Sequence, residues 1–453
     1  MKEAEGKRFT VVGSRRSGRA AAELLARNGA SVFVTDHGII EESTLALLAR
    51  TGIDYEQGGH SDRALDADFV IVSPGVPTSS PLVRRAMASG LPVLSEIEIA
   101  FRFCRAPIIA VTGSNGKTTT TSLLGHIFEV ADRPARVAGN IGFAFSEIAD
   151  RARPEEVVIL EVSSFQLDHI HDFRPRISIL LNITPDHLDR YGQSLDAYAE
   201  SKYRVFENQQ EGDAIVYNAD DALVRRGLSR VGPERDVSKL AISLEAPVDG
   251  GGYLSNDELI INLKPAEEPL MHVNEVALGG RHNLYNSLAA AVAGRVMEIR
   301  SELVRESLAT FSGVPHRLEL VREVDGVKYI NDSKATNVNS LWYALESFAQ
   351  PVILIAGGRD KGNEYGPVKE LVRAKVRGLV AIGESADKVM QELGGIVAEA
   401  VTAASMEQAL EFARYLAKPG YVVLLSPACA SFDMFEDFVD RGDTFRRIVL
   451  EMQ

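Results

Sequence analysis

The run Ala110-Val111-Thr112-Gly113-Ser114-Asn115-Gly116-Lys117-Thr118-Thr119-Thr120 follows the apolar Pro107-Ile108-Ile109 and constrains the fold more than any other feature. It reads as a buried strand, a glycine-punctuated loop, and a helix opened by Lys-Thr-Thr. Such a loop turns backbone N–H groups and a helix N-terminus toward phosphate. Lys117 suits the outer phosphates and the Thr118 hydroxyl suits Mg²⁺. Val111 stands where a strict phosphate-loop motif has its first glycine. A lone Gly-rich turn is the bland alternative; the order of strand, loop, lysine and helix argues against it.

The rest of the chain repeats the alternation of short apolar runs and helical segments that marks a parallel sheet with helices on its faces. Strands are expected at 9–12, 31–35 and 69–72, with a helix over 19–27 between the first two. Asp36 and the turn Ser73-Pro74-Gly75 then lie at strand ends, where ligands of such sheets gather. A second region carries the phosphate loop, with strands over 157–160, ending in Glu161, and 177–181, ending in Asn182. Residues 231–269 read as peripheral hairpins, and 279–294 as a helix. A third region starts near Gly313, with strands at 351–356, 379–382 and 421–425. At 453 residues, two or three domains are expected.

A net charge of −14 argues against a general nucleic-acid or membrane-surface binder. Two cysteines, Cys104 and Cys429, leave no disulfide framework and no cysteine zinc site. No apolar run reaches membrane-spanning length, and the first residues lack a signal-peptide core, so a reducing cytoplasm is expected.

Several residues carry candidate chemistry. Glu161, at a strand end beside the phosphate loop, suits Mg²⁺; its alternative is a solvated carboxylate near a helix start. His187 lies in Asn182-Ile183-Thr184-Pro185-Asp186-His187-Leu188-Asp189-Arg190 and is a metal ligand or substrate contact, with Asp186 and Asp189 as supports, or a structural loop histidine. Lys202 sits on a helical segment and, by spacing alone, is a surface lysine. In Gly13-Ser14-Arg15-Arg16-Ser17-Gly18, Arg15 blocks the close backbone approach of a dinucleotide loop. Arg15 and Arg16 either bind phosphate or are solvated. Arg317 suits phosphate and Asp332 ribose hydroxyls. Lys361 and Ser431 suit a carboxylate, and Cys429 reads as buried filler.

Together the phosphate loop, Glu161-Val162-Ser163-Ser164-Phe165-Gln166, the His187 run and Asn331-Asp332-Ser333-Lys334-Ala335-Thr336-Asn337 resemble the Mur ligases, ATP-dependent amide-forming enzymes of peptidoglycan synthesis. The Asp332 run and Ser426-Pro427-Ala428-Cys429-Ala430-Ser431-Phe432-Asp433 are similar to the D-glutamate-adding members. The resemblance implies an α/β chain of three domains. Residues 1–96 form a Rossmann-like UDP-substrate domain. Residues 97–312 form a P-loop ATPase-type domain with a mostly parallel sheet, and 313–453 a Rossmann-like amino-acid domain. It implies ATP binding by Gly113, Ser114, Asn115, Gly116, Lys117, Thr118, Thr119, Asn283, Arg317 and Asp332. It implies two Mg²⁺ ions held by Thr118, Glu161, His187 and Lys202, the lysine as a carbamate. Lys117, Glu161, His187 and Lys202 form the implied catalytic set. Ser14, Asp36, Ser73, Gly75, Asn140, Ser163 and Gln166 are placed on the UDP-sugar, and Thr336, Lys361, Ser431, Phe432 and Phe438 on D-glutamate. The family's Gly-Leu-Gly type turn is here Gly13-Ser14-Arg15, and His37 after Asp36 is a second departure.

The implied reaction joins D-glutamate to UDP-N-acetylmuramoyl-L-alanine through an acyl phosphate, in a monomer that needs no nucleic acid or membrane. Rival readings are an NAD-dependent dehydrogenase built on the first region, a plain ATPase switch, and a ligase for another amino acid. The broken fingerprint at Arg15 argues against the first, and Thr336 with the Ser431 loop against the last.

Overall fold

The computed structural model describes residues 4–263, 266–360 and 362–452. It is a three-domain α/β chain with three sheets. The first sheet holds β1 (Arg8–Val12), β2 (Ser31–Asp36), β3 (Asp54–Gln57), β4 (Phe69–Val72) and β5 (Val93–Ser95). Its order is β3-β2-β1-β4-β5 and every pair is parallel. Order reverses between β1 and β4, so the turns after them, at Gly13 and Ser73, stand side by side at the switch point where ligands of such sheets bind. Gly18 lies so close to the Gly13 turn that a Cβ there would come within 1.8 Å of the Gly13 carbonyl oxygen.

The second sheet holds β6 (Ile108–Thr112), β7 (Ala135–Gly139), β8 (Val157–Glu161), β9 (Ile177–Leu180), β10 (Ala214–Asn218), β11 (Ser238–Ser243), β12 (Gly251–Ser255), β13 (Glu258–Leu263) and β14 (Ala266–His272). Strand β6 is flanked by β8 and β9, with Val111 beside Glu161 and Thr112 beside Leu180. The phosphate loop therefore leaves the sheet between Glu161 and Asn182. Residues 231–269 are peripheral hairpins only in part: β12, β13 and β14 form antiparallel hairpins at the sheet edge, but they continue the main sheet through β11. Strand β11 joins β10 in parallel and β12 joins β11 in parallel, before β13 and β14 finish the sheet antiparallel. Glycine makes that continuation possible: Gly251 has φ +120°, and a Cβ there would meet the Ala241 carbonyl oxygen at 2.0 Å.

The third sheet holds β15 (Glu319–Val324), β16 (Val327–Asn331), β17 (Val352–Gly357), β18 (Val376–Ile382), β19 (Glu399–Ala403) and β20 (Val422–Leu425), in the order β15-β16-β20-β17-β18-β19. Only the β15–β16 hairpin is antiparallel. The ends of β16, β20 and β17 are adjacent, which gathers the turns after Asn331, Leu425 and Gly357.

These elements form two compact units: residues 1–276 with 285–310, and residues 277–284 with 311–453. In the first, one apolar core takes Leu24 and Ile97 together with β6, β8 and β9. In the second, separate cores cover the two faces of the third sheet. Burial of this kind contributes about 25 cal/mol per Å² of apolar surface removed from water.

Candidate functional site: a phosphate loop with a buried carboxylate and a buried lysine

The loop after β6 needs glycine at two places. Gly113 has φ +151° and Gly116 has φ +86°, and a Cβ on Gly116 would stand 2.2 Å from Asn286 Oδ1. The helix Lys117–Val130 begins directly after Gly116. The loop is tied to the segment after β9. Ser114 N–H donates to the Asn182 carbonyl at 2.9 Å, Asn115 N–H to Asn182 Oδ1 at 2.8 Å, and Ser114 Oγ to the Thr184 carbonyl at 2.9 Å. Lys117 curls onto its own loop and donates to the carbonyls of Gly113 and Ser114, both at 2.8 Å. Thr118 and Thr119 are buried at the helix start.

Glu161 is 1% exposed. Its Oε1 accepts from Asn140 Nδ2 at 2.8 Å, while Oε2 is buried with no hydrogen-bond partner. A buried carboxylate oxygen left this way is costly unless a cation meets it. Mg²⁺ fits that oxygen. No three His, Cys, Asp or Glu side chains gather as a metal cluster among the described residues. Sparse protein ligation is the habit of Mg²⁺, which commonly takes one or two carboxylates and completes its shell with water and substrate phosphate.

Lys202 is no surface lysine. It sits on the helix Leu195–Tyr203, is 1% exposed, and donates Nζ to the Gly113 carbonyl at 2.8 Å, 4.5 Å from the Tyr198 ring centre. Burial first, and then the charge of Lys117, push its pKa well below the usual lysine range, against the pull of Asp186, Asp168 and Glu161. His187, at φ +51°, is half-exposed, with Nε2 3.8 Å from Asp186 Oδ2 and its ring edge-on to Phe165. A non-glycine residue in this region of φ is uncommon and clusters at functional sites.

On the first sheet, Ser14 donates both its N–H and its hydroxyl to Asp36 Oδ2 at 2.7 Å, and Gly38 N–H donates to Oδ1 at 2.8 Å. Burial raises the Asp36 pKa, but these three bonds prevail and hold it below the usual carboxylate range. Ser73 Oγ donates to the Gly13 carbonyl at 3.0 Å, closing the switch-point turns on each other. The Pro74 and Gly75 carbonyls accept from Arg190, whose guanidinium also lies 4.6 Å from the Phe165 ring centre. Ser163 and Gln166 are buried and paired, Ser163 N–H donating to Gln166 Oε1 at 3.0 Å.

In the second unit, Asp332 is buried. Its Oδ2 accepts from Ser426 Oγ at 2.9 Å, and Oδ1 from Leu318 N–H at 3.3 Å. Burial raises its pKa to about 7, opposed by Ser426 and the charge of Arg317. Asn283 donates Nδ2 to the Gly279 carbonyl at 2.8 Å. Ser431 is buried and Phe432 exposed. The turn holding Thr336 starts at the end of β16, and Phe438 heads the last helix, with Lys334 Nζ 3.6 Å from its ring centre. Lys361 lies outside the described residues. Cys429 is buried, as expected, and takes Asn363 Nδ2 at 3.2 Å.

Two arginines with structural reach have no role in the sequence reading. Arg190 stands inside the His187 run, and only its position there pointed to it. Arg441 is 1% exposed. It donates Nε to Ser333 Oγ at 2.9 Å, Nη2 to the Ser333 carbonyl at 2.8 Å and Nη1 to the Cys429 carbonyl at 3.1 Å, so one guanidinium joins the Asp332 and Ser431 loops. Nothing in its helix pattern distinguishes it from a solvated arginine.

Residues 111–294 match the Mur ligase middle domain, 316–429 the Mur ligase glutamate ligase domain, and 8–82 the MurD N-terminal domain. The UDP-N-acetylmuramoylalanine--D-glutamate ligase of Salinibacter ruber is 55% identical, over 98% of this chain and 97% of that one. The chain belongs to the Mur ligase family. The same-named ligase of Chloroherpeton thalassium is 44% identical over 99% of both chains. Among solved structures, the Mur ligase fold recurs in UDP-N-acetylmuramate-alanine ligase MurC from Thermotoga maritima, with a TM-score of 0.59 and 20% identity over 99% of this chain and 100% of that one. MurF ligase from the same organism, in complex with ADP, aligns with a TM-score of 0.59 and 17% identity over 100% of both. As a Mur ligase, the chain uses ATP, and Mg²⁺ is typical of the family.

Proposed function

We propose that this Mur ligase joins D-glutamate to UDP-N-acetylmuramoyl-L-alanine, forming ADP and phosphate, in the synthesis of peptidoglycan precursors. The observation that carries the reading is the convergence, at one phosphate loop, of Lys117, the buried Lys202 and the buried Glu161 with its unpartnered Oε2. Two anions, a carboxylate and ATP, must meet there; Lys117, with Mg²⁺ held at Glu161 and Lys202, is the source of positive charge that favours the meeting. The relatives' names supply the substrate identities.

In the proposed first step, the L-alanine carboxylate takes the γ-phosphoryl group and ADP leaves. In the second, the amine of D-glutamate attacks the acyl carbon and inorganic phosphate departs. Residues 113–119 hold the triphosphate by backbone N–H groups, and Lys117 steadies its outer charge. Thr118, Glu161, His187 and a carbamylated Lys202 are the residues assigned to Mg²⁺, which when bound neutralises phosphate charge. A neutral lysine amine is the form that reacts with CO₂, and burial shifts the Lys202 equilibrium toward that form. Asn283 is assigned to the adenine of ATP, Arg317 to its phosphate and Asp332 to its ribose. Ser14, Asp36, Ser73, Gly75, Asn140, Ser163 and Gln166 are assigned to the UDP-sugar, and Thr336, Lys361, Ser431, Phe432 and Phe438 to D-glutamate. The proposed domain limits are 1–96, 97–312 and 313–453. One chain carries all of these residues, which supports a monomer, and ATP with a UDP-sugar as substrates supports a cytoplasmic reading. No helix among the described residues is long and apolar enough to cross a membrane.

Phosphate release from ATP with UDP-N-acetylmuramoyl-L-alanine, comparing D-glutamate, L-glutamate, L-lysine and meso-diaminopimelate, tests the reading. Release that requires both the UDP-sugar and D-glutamate supports it. Release indifferent to either, or driven by another amino acid, overturns it.

A further inference from the structure

We infer that Arg16 is a positioning residue, whose guanidinium clamps the 139–143 turn and so sets the Asn140 amide against Glu161. The inference rests on the proposed role of Glu161. Arg16 opens the helix Arg16–Arg27, directly after the Gly13 turn. Its Nη1 donates to the Gly142 carbonyl at 2.8 Å and its Nη2 to the Gly139 carbonyl at 3.1 Å. The sequence offered phosphate binding or plain solvation for this side chain; its fork is instead engaged with two main-chain oxygens of another domain's loop.

The gripped turn is built against Glu161. Gly139 has φ +102°, and a Cβ there would stand 2.3 Å from the Glu161 carbonyl oxygen. Gly139 N–H donates to the Phe143 carbonyl at 2.8 Å and Asn140 N–H to the Glu161 carbonyl at 3.0 Å. The Asn140 side chain then donates to Glu161 Oε1 at 2.8 Å, which leaves Oε2 as the unpartnered oxygen. The turn's far end is held too. Ser146 N–H, in the short helix Phe145–Ile148 that follows, donates to the buried Glu96 Oε1 at 2.6 Å. The charge of Arg16 is among the effects that oppose the burial of Glu96.

Two residues before Arg16, Ser14 is bonded to Asp36. Arg16 therefore links the turn assigned to the UDP-sugar with the loop that orients the carboxylate assigned to the metal. A misplacement of about 1 Å at such a carboxylate can cost about a hundredfold in rate. Only a planar fork reaches both carbonyls at once; a lysine has one nitrogen to offer.

The test uses the full chain with Arg16→Ala, Arg16→Lys and Arg16→Gln. In the substrate-free protein, amide hydrogen exchange should speed up in peptides covering 139–143 in Arg16→Ala, with β6 and β8 unchanged, and Arg16→Lys should restore part of the protection. In the ligase assay, Arg16→Ala should raise both the KM for UDP-N-acetylmuramoyl-L-alanine and the half-saturating Mg²⁺ by about tenfold, with the KM for D-glutamate unchanged. Unaltered exchange over 139–143, or a lower active fraction with every KM unchanged, overturns the clamp. If Arg16→Ala does not fold, Arg16→Gln carries the same two readouts. Wild-type protein lacking D-glutamate-dependent turnover would overturn the proposed function, while the exchange result would still decide whether Arg16 clamps the turn.

Discussion

Lys117 and Lys202 both donate to the carbonyl oxygen of Gly113, each at 2.8 Å. Two ammonium groups on one oxygen repel, and the buried one is the more affected: burial, then the Lys117 charge, depress the Lys202 pKa. The two lysines therefore differ: Lys117 stands at the loop, while Lys202 is buried and its pKa is displaced downward. Lys117→Ala removes the cation and should lower D-glutamate-dependent phosphate release by about a thousandfold or more, as deletions of fixed charge at a transition state do. Steady-state kinetics at saturating substrates checks this, and activity within about tenfold of wild type would contradict it. Lys202→Ala should be equally inactive for a different reason, the loss of the anionic oxygen ligand that the proposed carbamate would supply. Formate or acetate at high concentration should then restore part of the rate by entering the vacated space, whereas Lys117→Ala should show no such recovery. Equal behaviour of the two variants toward added carboxylate would contradict that difference.

At the scale of elements, the phosphate loop is shaped by backbone freedom at Gly116. With φ +86° and a Cβ position 2.2 Å from Asn286 Oδ1 and 3.1 Å from Leu181 Cδ1, no other residue fits without moving the loop or the helix carrying Asn286. Gly116→Ala should cost about 1–3 kcal/mol in denaturant unfolding and weaken binding of a fluorescent ATP analogue by at least about tenfold. Unaltered affinity would show that the loop tolerates the shift. This strand-loop-helix was legible because everything that defines it is local: an apolar run, two glycines, a lysine at the helix start. The strands ending in Asp36, Val72 and Glu161 were legible on the same ground. Residues 238–255 were not, because their place beside β10 depends on Gly251 meeting a carbonyl of β11, a fact of packing and not of pattern. Lys202 was misread from its helix because its partner lies 89 residues away in sequence. Arg16 and Arg441 escaped for the same reason: each is defined by distant main-chain oxygens, and a guanidinium bound to carbonyls leaves no periodic trace.

For the whole molecule, two compact units with separate cores make more than one unfolding transition the expectation, and the single tryptophan reports one of them. Trp342 lies on the helix Val338–Glu346 and packs on the core of the third sheet. Two groups of its unit titrate in opposite senses. Burial raises Asp332 from 3.8 to about 7, so the folded unit holds a proton the unfolded chain has released, and this contribution falls away as pH rises through that window. Burial, and then the Arg317 charge, lower His282 from 6.5 to about 4, so the unfolded chain binds the extra proton and stability rises with pH over nearly the same window. The two slopes nearly cancel, and tryptophan-monitored urea unfolding of the wild type should change little between about pH 5 and 7. Asp332→Asn leaves His282 alone, and the unit should gain stability with pH at up to about 1.4 kcal/mol per pH unit until about 6.5. His282→Gln leaves Asp332 alone, and stability should fall at a similar rate until about 7. Profiles of the two variants that ran parallel to each other would show that neither group is held as its burial dictates, and the balance inside this unit would need another source.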